Sequence, residues 1–333
     1  MRRLPAEWEP QQLVLFSFPR REGDWGEVLE DASAAMIAAA NAVHEACPTR
    51  IVVGDREHFE RYADRYRGEV SYWPTDDSWI RDSGPITVVA ESDPTLLDFT
   101  FNGWGGKFDA RRDNELPRII HEELYPRAAY ARVPLVLEGG AIESDGRGTI
   151  LTTSRCLLST GRNDYRDKAE AEAMLRDHLG AERIIWLDYG ELLGDDTDAH
   201  VDTVARFLDA ETIAYVGPPP ESDPQHADFT AMRRQLREAA RGYRLVELPW
   251  TGHVSSRVDG HRLPASYANF LISNGSLFVP TYGTEADQSA LEVLRQESPY
   301  RVVGVNCLPF VEQHGALHCL TMQIPDWENP EKS

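Results

Sequence analysis

The 333-residue sequence has no apolar run close to the roughly 18 residues that a membrane-spanning helix needs. Its first ten residues, MRRLPAEWEP, contain two arginines, but no apolar segment follows them as it would in a secretory signal. These two absences argue against a membrane or secreted protein and favour a cytoplasmic one.

Cysteine is also scarce, with Cys47, Cys156, Cys307 and Cys319 as the full set. They form no CxxC pair, so no disulfide framework is predicted, and each thiol is either a buried packing group or a reactive one. The glycine-rich segment 103–106 has neither a GK[ST] ending nor the spacing of a dinucleotide-binding loop. The acidic segment 194–202 lacks the ligand spacing of a calcium loop.

Positive charge is in deficit, with 34 Lys and Arg against 55 Asp and Glu, giving a net charge of -21. A nucleic-acid-binding protein needs a basic surface, so this balance excludes that class. A negative field would concentrate small cations, although acidity that serves only solubility gives the same composition.

Short β-branched strands alternate with helical segments, which predicts an α/β fold. No segment has the composition of a linker, and the proline run 218–220 is interpreted as a surface loop, so residues 1–333 are predicted to form a single domain. The predicted helices are Trp25–Ala46, His58–Tyr66, Lys168–Leu179, Asp228–Arg241 and Glu285–Gln296. The predicted strands are Leu13–Phe18, Arg50–Val53, Ile86–Ala90, Val133–Leu137, Thr149–Thr153, Arg183–Leu187, Arg206–Leu208, Thr212–Val216, Tyr243–Glu247, Leu271–Ser273, Leu277–Val279 and Arg301–Val305.

Two segments carry candidate groups for nucleophilic and acid-base chemistry. Cys319 follows Gly315 in HGALHCLT, where a glycine allows close backbone approach and a nearby positive charge would activate the thiol. In TDAHVDT, strand alternation would place His200 and Asp202 on one face, where the carboxylate raises the pKa of the imidazole. A buried structural cysteine and a solvated acidic turn are the alternatives.

Further carboxylates and an indole suit a planar cation. The segment DDSWIRDSGP offers Asp77, Trp79 and Asp82 for stacking and paired hydrogen bonds, and Glu138 stands before two glycines in LEGG. Each could equally be an ordinary turn. The polar motifs recur at intervals of 56, 62, 69 and 50 residues, which fits diverged repeats around one centre or chance spacing. The positions that define these intervals are Asp82, Glu138, His200, Asn269 and Cys319.

Together these residues fit an attack on a guanidinium group, and at this point the sequence resembles a known family. The segments LPAEWEP, DDSWIRDSGP, FNGWGGKF, LEGG, TDAHVDT, PASYANFLISNG and LHCLTMQIP, with TTSRCLL and GRN between the fourth and fifth, resemble the agmatine deiminase and bacterial-type peptidylarginine deiminase family. The resemblance implies a five-bladed, pseudo-symmetric α/β-propeller, the pentein fold, with the active site at its centre. The chemistry that the resemblance implies requires neither a metal nor an organic cofactor.

The resemblance also implies residue roles. Cys319 would be the nucleophile and His200 the general acid and base. Asp82 and Asp202 would bind the guanidinium nitrogens, with Glu138 supporting the charge of His200. The remaining implied pocket residues are Asp77, Trp79, Asp198, Asn269 and Trp104.

The implied reaction is hydrolysis of agmatine to N-carbamoylputrescine and ammonia through a covalent thiouronium. Peptidyl-arginine or another alkylguanidine as substrate, and an inactive cation-binding propeller, are the alternatives. The expected partner is a small guanidinium compound rather than nucleic acid or membrane, and a homodimer is compatible with the family. His314, Ala316 and Glu143 depart from the agmatine deiminase pattern and leave the substrate open.

Overall fold

The computed structural model describes residues 2–91 and 93–328, and they form five β-sheets joined by helices. The strands are β1 Arg2–Arg3, β2 Gln11–Ser17, β3 Thr49–Val52, β4 Glu69–Ser71, β5 Ile86–Ala90, β6 Asp93–Thr100, β7 Ala129–Val136, β8 Ile142–Ser144, β9 Thr149–Thr153, β10 Arg183–Leu187, β11 Ala205–Asp209, β12 Thr212–Val216, β13 Arg244–Leu248, β14 Leu271–Ser273, β15 Ser276–Thr281, β16 Arg301–Asn306 and β17 Thr321–Pro325.

The α-helices vary from single turns to 16 residues. They are α1 Leu29–His44, α2 Arg56–Glu60, α3 Ile80–Ser83, α4 Gly103–Gly106, α5 Leu116–Leu124, α6 Ser154–Leu157, α7 Lys168–Leu179, α8 His226–Ala239, α9 Asp287–Glu297 and α10 Leu308–Val311. Short 3-10 helices lie at Gly26–Val28, Ala63–Arg65, Asp113–Glu115, Gly139–Ala141 and Val201–Thr203.

Each sheet is built on the same unit, an antiparallel strand pair extended by a third strand that runs parallel to the second. Parallel pairing needs a crossover, and a helix supplies it in every unit. The five units are β17-β2-α1-β3, β5-β6-α5-β7, β8-β9-α7-β10, β11-β12-α8-β13 and β14-β15-α9-β16. Five diverged copies of one unit give the architecture predicted from the resemblance.

The first unit combines the two ends of the described chain. Strand β17 pairs antiparallel with β2, so that Thr321 lies opposite Phe16 and Gln323 opposite Val14. This pairing brings the segment around Cys319 beside the N-terminal strand. The ring of units is therefore completed by contacts between residues about 300 positions apart in the sequence.

Helix α7 shows how local signals fix an element. The Asp167 side chain accepts a hydrogen bond from the Glu170 amide at its start, and Gly180 ends it in the left-handed conformation with φ of 69°. The predicted bounds of this helix are confirmed, as are those of the strands β5, β9, β10, β12 and β14.

Two predicted helices are shorter than expected. The helix predicted from Trp25 begins at Leu29 because Gly26, with φ of 48°, interrupts the helical path. The helix predicted from His58 is split: α2 begins at Arg56, where Asp55 caps it, and ends at Glu60. Among the described residues, no helix has both the length and the apolar character needed to cross a bilayer.

Candidate active site

The polar residues that define the sequence spacing share one position in the repeated unit. Each lies two to five residues before the first strand of its unit, namely β5, β8, β11, β14 or β17. These residues are Asp82, Glu138, His200, Asn269 and Cys319. The repeat of the fold therefore explains their spacing, because equivalent ends of equivalent strands point to a common centre.

Gly140 marks the place where three of these segments meet. A β-carbon added to Gly140 would lie 2.6 Å from His200 Nδ1, 2.9 Å from Asp82 Oδ1 and 3.0 Å from Asp202 Oδ2. Side chains rarely approach a β-carbon so closely, so only glycine fits this position. The imidazole predicted to be catalytic and both carboxylates predicted to bind the guanidinium thus pack around the α-carbon of Gly140.

The strand predicted through His200 and Asp202 is wrong, because residues Val201–Thr203 form a 3-10 turn. Asp198 and Ala199 both have φ of 65°, and this left-handed step redirects the chain before the turn. The turn, rather than strand alternation, brings the two side chains to the same centre.

Cys319 is buried, and its sulfur faces polar groups. Asn269 Nδ2 donates to Sγ at 3.2 Å, and Asp202 Oδ2 lies 3.8 Å from the same sulfur. Burial raises the pKa of the Cys319 thiol well above its ordinary value, and the carboxylates of Asp202 and Asp82 raise it further. In the absence of a bound cation, these effects favour the protonated form of the Cys319 thiol, the predicted nucleophile.

His200 is fully buried, and neither ring nitrogen has a hydrogen-bond partner among the described residues. Its Nδ1 lies 3.6 Å from Asp82 Oδ1. Burial by itself lowers the pKa of His200, but interactions with Asp82, Cys156 and Glu138 outweigh it and raise the pKa well above its ordinary value. A protonated, unpartnered imidazole suits a general acid.

The indole of Trp104 orients Asp82. Trp104 Nε1 donates to Asp82 Oδ2 at 2.9 Å, and the Gly140 amide donates to Oδ1 at 2.9 Å. Trp104 has φ of 54° and stands between glycines that also have positive φ. The strained FNGWGGKF segment thus serves to direct this indole at the carboxylate.

Glu138 is held by Arg162, a residue that the sequence reasoning did not single out. Arg162 Nε donates to both Glu138 oxygens at 2.8 and 3.0 Å, and its Nη1 donates to Asp198 Oδ2 at 2.6 Å. The predicted pocket residue Asp198 therefore faces Arg162 and Lys107. Arg162 belongs to the GRN segment, which is one of the segments that carry the family resemblance. Its pairing with Glu138 could not be predicted, because the two residues are 24 positions apart and no local sequence pattern links them.

An open cavity of about 470 Å³ leads to Cys319. Its other lining residues are Asp24, Asp77, Trp79, Asp82, Trp104, Phe108, Asp195, Asp196, Thr197, Thr203, Gln313, His314 and Gly315. None of these described residues is a lysine or an arginine. The predicted pocket residues Asp77, Trp79 and Trp104 line the cavity, whereas Asn269 and Asp198 are not among its lining residues.

The three residues that depart from the family pattern lie in different places. Ala316 is buried, and the preceding Gly315 packs on the Trp79 indole so closely that an added β-carbon would lie 2.2 Å from the ring. His314 lines the cavity with φ of 67°, and its Nδ1 contacts the Gly194 carbonyl at 2.6 Å. Glu143 is not among the lining residues and pairs with buried Arg206 at 2.6 Å. It is therefore not placed to contact a substrate in this cavity.

Replacing Gly140 with alanine tests the convergence directly. The new methyl would displace His200 and Asp82, so we expect kcat to fall at least about 100-fold, the effect of a misplacement near 1 Å. Gly304→Ala is the matched control, because its β-carbon would meet no atom closer than 3.3 Å. Equal activity of the two folded variants, checked by melting temperature and steady-state kinetics, would contradict the described site.

Comparisons with known proteins agree with this geometry. Residues 3–325 match the family model of the Porphyromonas-type peptidyl-arginine deiminases. The agmatine deiminase of Stutzerimonas stutzeri is 34% identical, over 97% of this chain and 95% of its own length. A substrate-bound agmatine deiminase of C. jejuni is 32% identical with a TM-score of 0.92, covering 98% of this chain and 97% of that one.

A more distant structure supports the fold. DDAH from Pseudomonas aeruginosa is 14% identical, with a TM-score of 0.54 over 95% of this chain and the whole of its own. The predicted pentein fold and family resemblance are confirmed, and the chain belongs to the Porphyromonas-type peptidyl-arginine deiminase family.

Proposed function

We propose that this protein is an agmatine deiminase, a hydrolase that converts agmatine to N-carbamoylputrescine and ammonia, with residues 1–333 acting as one catalytic domain. The observation that carries the proposal is that Cys319 and Asp82 line one acidic cavity, while the fully buried His200 and Asp202 pack directly against them. A thiol, an imidazole and two carboxylates are the groups that guanidinium hydrolysis requires.

The two carboxylates bind the planar cation from opposite sides. Asp82 is fixed by Trp104 and Gly140, and each of its oxygens retains a lone pair for a substrate N–H. Asp202 Oδ1 is buried and has no partner among the described residues, so it is free to accept a second hydrogen bond. Burying the substrate charge between them offsets the desolvation of both carboxylates.

Substrate binding activates the nucleophile. The free thiol is protonated because its pKa is raised by burial and by the carboxylates of Asp202 and Asp82. A guanidinium bound between these carboxylates brings a positive charge next to sulfur, which favours the thiolate. Activation therefore needs no metal ion and depends on the substrate itself.

The reaction then proceeds in two halves. The Cys319 thiolate bonds to the guanidinium carbon, and His200 gives its proton to the departing nitrogen, which releases ammonia and leaves a thiouronium. His200 next takes a proton from water as the water attacks the same carbon. The carbon–sulfur bond breaks, the hydroxyl proton of the adduct passes to the sulfur, and the ureido product leaves the thiol restored. The thiol proton that was released when the substrate bound passes to solvent.

The lining of the cavity favours a substrate with a second positive charge. Asp24, Asp77 and Asp196 belong to it, and none of its described residues is a lysine or an arginine that could pair with a carboxylate of arginine. Lys107 lies nearby, but its ammonium is bonded to Asp198 Oδ1 at 2.7 Å and the Asp196 carbonyl at 2.6 Å. These charges favour the primary amine of agmatine over free arginine.

Agmatine binding should depend on pH through Asp77. Burial raises the pKa of Asp77 to about 7, and Asp24 and Asp196 add to the rise. The carboxyl is neutral below that pH and charged above it, so binding of a cationic amine should strengthen as pH rises from 6 to 8, by up to about tenfold. Calorimetry with the inactive Cys319→Ala protein measures this directly.

The Asp77→Asn variant should lose most of that pH dependence. Asp109→Asn is its control, because Asp109 is exposed and lies outside the cavity lining. Two results would contradict a role for this carboxylate in binding the amine. One is a dissociation constant for agmatine that does not change with pH when Asp77 is present, and the other is a pH dependence that is unchanged in Asp77→Asn.

A coupled ammonia assay tests the function itself. We expect the highest kcat/KM with agmatine, a lower value with n-butylguanidine, which lacks the amine, and little activity with arginine or peptidyl-arginine. If peptidyl-arginine gave the highest kcat/KM, the proposed substrate would change from agmatine to peptidyl-arginine. No ammonia from any of the four, with agmatine still bound, would identify an inactive cation-binding protein.

A further inference from the structure

The N-terminal segment LPAEWEP contributes a buried charge that the proposed mechanism does not use. Glu7 lies in this segment, 311 residues before His318, yet its Oε2 is 2.7 Å from His318 Nε2. His318 immediately precedes the nucleophile in the sequence and is also buried. The N-terminal segment thus contacts the residue next to Cys319.

His318 is held between two carboxylates. Its Nδ1 lies 2.7 Å from Asp202 Oδ2, and its Nε2 lies 2.7 Å from Glu7 Oε2. An ionised carboxylate can only accept hydrogen bonds, so each ring nitrogen must carry a proton to make its bond. Two ionised carboxylates can both be bonded in this geometry only when both ring nitrogens carry a hydrogen.

The surroundings keep both carboxylates ionised. Burial opposes ionisation of Glu7, but Arg206, His318 and Arg81 outweigh it and hold its pKa well below the ordinary value. Burial likewise opposes ionisation of Asp202, and His318 outweighs it, so that pKa is also lowered. Arg206 Nη2 lies 2.9 Å from Glu7 Oε2.

The arrangement has a consequence for Asp202. Its Oδ2 is fixed by His318 and lies 3.8 Å from Cys319 Sγ, while Oδ1 remains without a partner. When the sulfur becomes a thiolate, repulsion would favour a proton on Asp202 or a rotation of its side chain. The adjacent imidazolium opposes both changes.

We propose that Glu7 and His318 are positioning residues for Asp202: Glu7 keeps His318 as an imidazolium, and His318 keeps Asp202 charged and oriented while the thiolate forms. This inference rests on the proposed deiminase function. It gives the LPAEWEP segment a place in the active site, and it assigns the residue before the nucleophile to an electrostatic task rather than to substrate contact.

The alternative is that the network only stabilises the fold, and the chain offers a matched control. Glu143 pairs with the same Arg206, at 2.6 Å from Nε, but makes no hydrogen bond to His318. Glu7→Gln and Glu143→Gln each remove one buried carboxylate charge next to Arg206. Only Glu7→Gln also changes a hydrogen bond to His318. The charged and titratable groups around His318 are Asp202, Glu7, Arg81, Arg206, Glu143, Cys319 and His200.

The kinetic test follows kcat/KM for n-butylguanidine against pH, because this substrate lacks the amine whose binding should titrate with Asp77. In His318→Asn, an amide can still donate to Asp202 but carries no charge, so we expect a 10- to 100-fold loss of roughly the size seen for charged hydrogen bonds. We also expect the acid limb of the profile to move to higher pH, since Asp202 takes up a proton more easily. Glu7→Gln should shift the limb in the same direction and further than Glu143→Gln, because Glu143 acts on His318 without a hydrogen bond.

A structural role alone would lower the melting temperature of all three variants without moving the acid limb, and that result would overturn the proposal. A second measurement does not need activity. In protein with ¹⁵N-labelled histidine, of which there are ten, the signal lost in His318→Asn or His318→Gln should report two N–H groups at pH 8 in the wild type. A neutral His318 would refute the inference even if the protein hydrolyses agmatine. If His318 is an imidazolium but the protein does not hydrolyse agmatine, the proposed function is wrong and the inference about the charge of His318 stands.

Discussion

Replacing Cys319 with alanine should reduce ammonia release from agmatine by at least about 10,000-fold, because the covalent route loses its only nucleophile. The sulfur lies 3.2 Å from Asn269 Nδ2 and 3.8 Å from Asp202 Oδ2, and alanine removes it without disturbing either group. Agmatine should still bind, since Asp82 and Asp202 remain in place. Steady-state kinetics and calorimetry measure the two properties separately.

Cys47→Ala is the matched control for this variant. Cys47 is equally buried, but its sulfur contacts the Gln11 carbonyl at 3.4 Å and lies outside the cavity. Both variants should fold, and only the Cys319 form should be inactive. Ammonia release at the wild-type rate from Cys319→Ala would reject the mechanism, whereas equal losses in both variants would indicate a general effect on the core.

The second large effect is expected from His200→Asn, which should lower kcat by about 1,000-fold or more, near the upper range for loss of a general acid and base. His200 is fully buried with both ring nitrogens unpartnered, and its raised pKa makes it an acid before ammonia leaves. Without that proton, the leaving nitrogen would depart as an amide anion. We therefore expect no thiouronium adduct in the mass spectrum of the variant mixed with agmatine.

His226→Asn serves as the control, because His226 lies at the start of α8 and its Nδ1 contacts the Pro219 carbonyl at 2.6 Å. This variant should keep wild-type kinetics. An adduct that accumulates in His200→Asn would limit His200 to activating water in the second half of the reaction. Full activity of His200→Asn would remove it from the catalytic set.

Much of the fold was predictable because its signals are local. The helix α7 carries its own cap at Asp167 and its own stop at Gly180, and the buried strands β9 and β12 are continuous β-forming runs. The strands β1, β4, β6, β8 and β17 were missed. Three of them have only two or three residues, and β17 pairs with a strand about 300 residues away, a partner that sequence periodicity cannot identify.

The residues of the candidate site also fall into a group that was predicted from the sequence and a group that was not. The residue types and their regular spacing indicated Asp82, Glu138, His200, Asn269 and Cys319, because each precedes the first strand of a repeated unit. Arg162, Glu7 and His318 were not predicted as part of the site. Their partners are 24 to 311 residues away, so no local pattern marks them.

The sequence by itself determined the class of chemistry, since a thiol, an imidazole and several carboxylates stand in segments that resemble one family, and that resemblance implied the repeated α/β unit. Only the tertiary structure decided which charges meet. It placed Glu143 beside Arg206 rather than in the cavity, and it joined the N-terminal Glu7 to the residue next to the nucleophile. The reason is physical: pairing of buried charges depends on distance in space, which the closure of the five units sets and the order of residues does not.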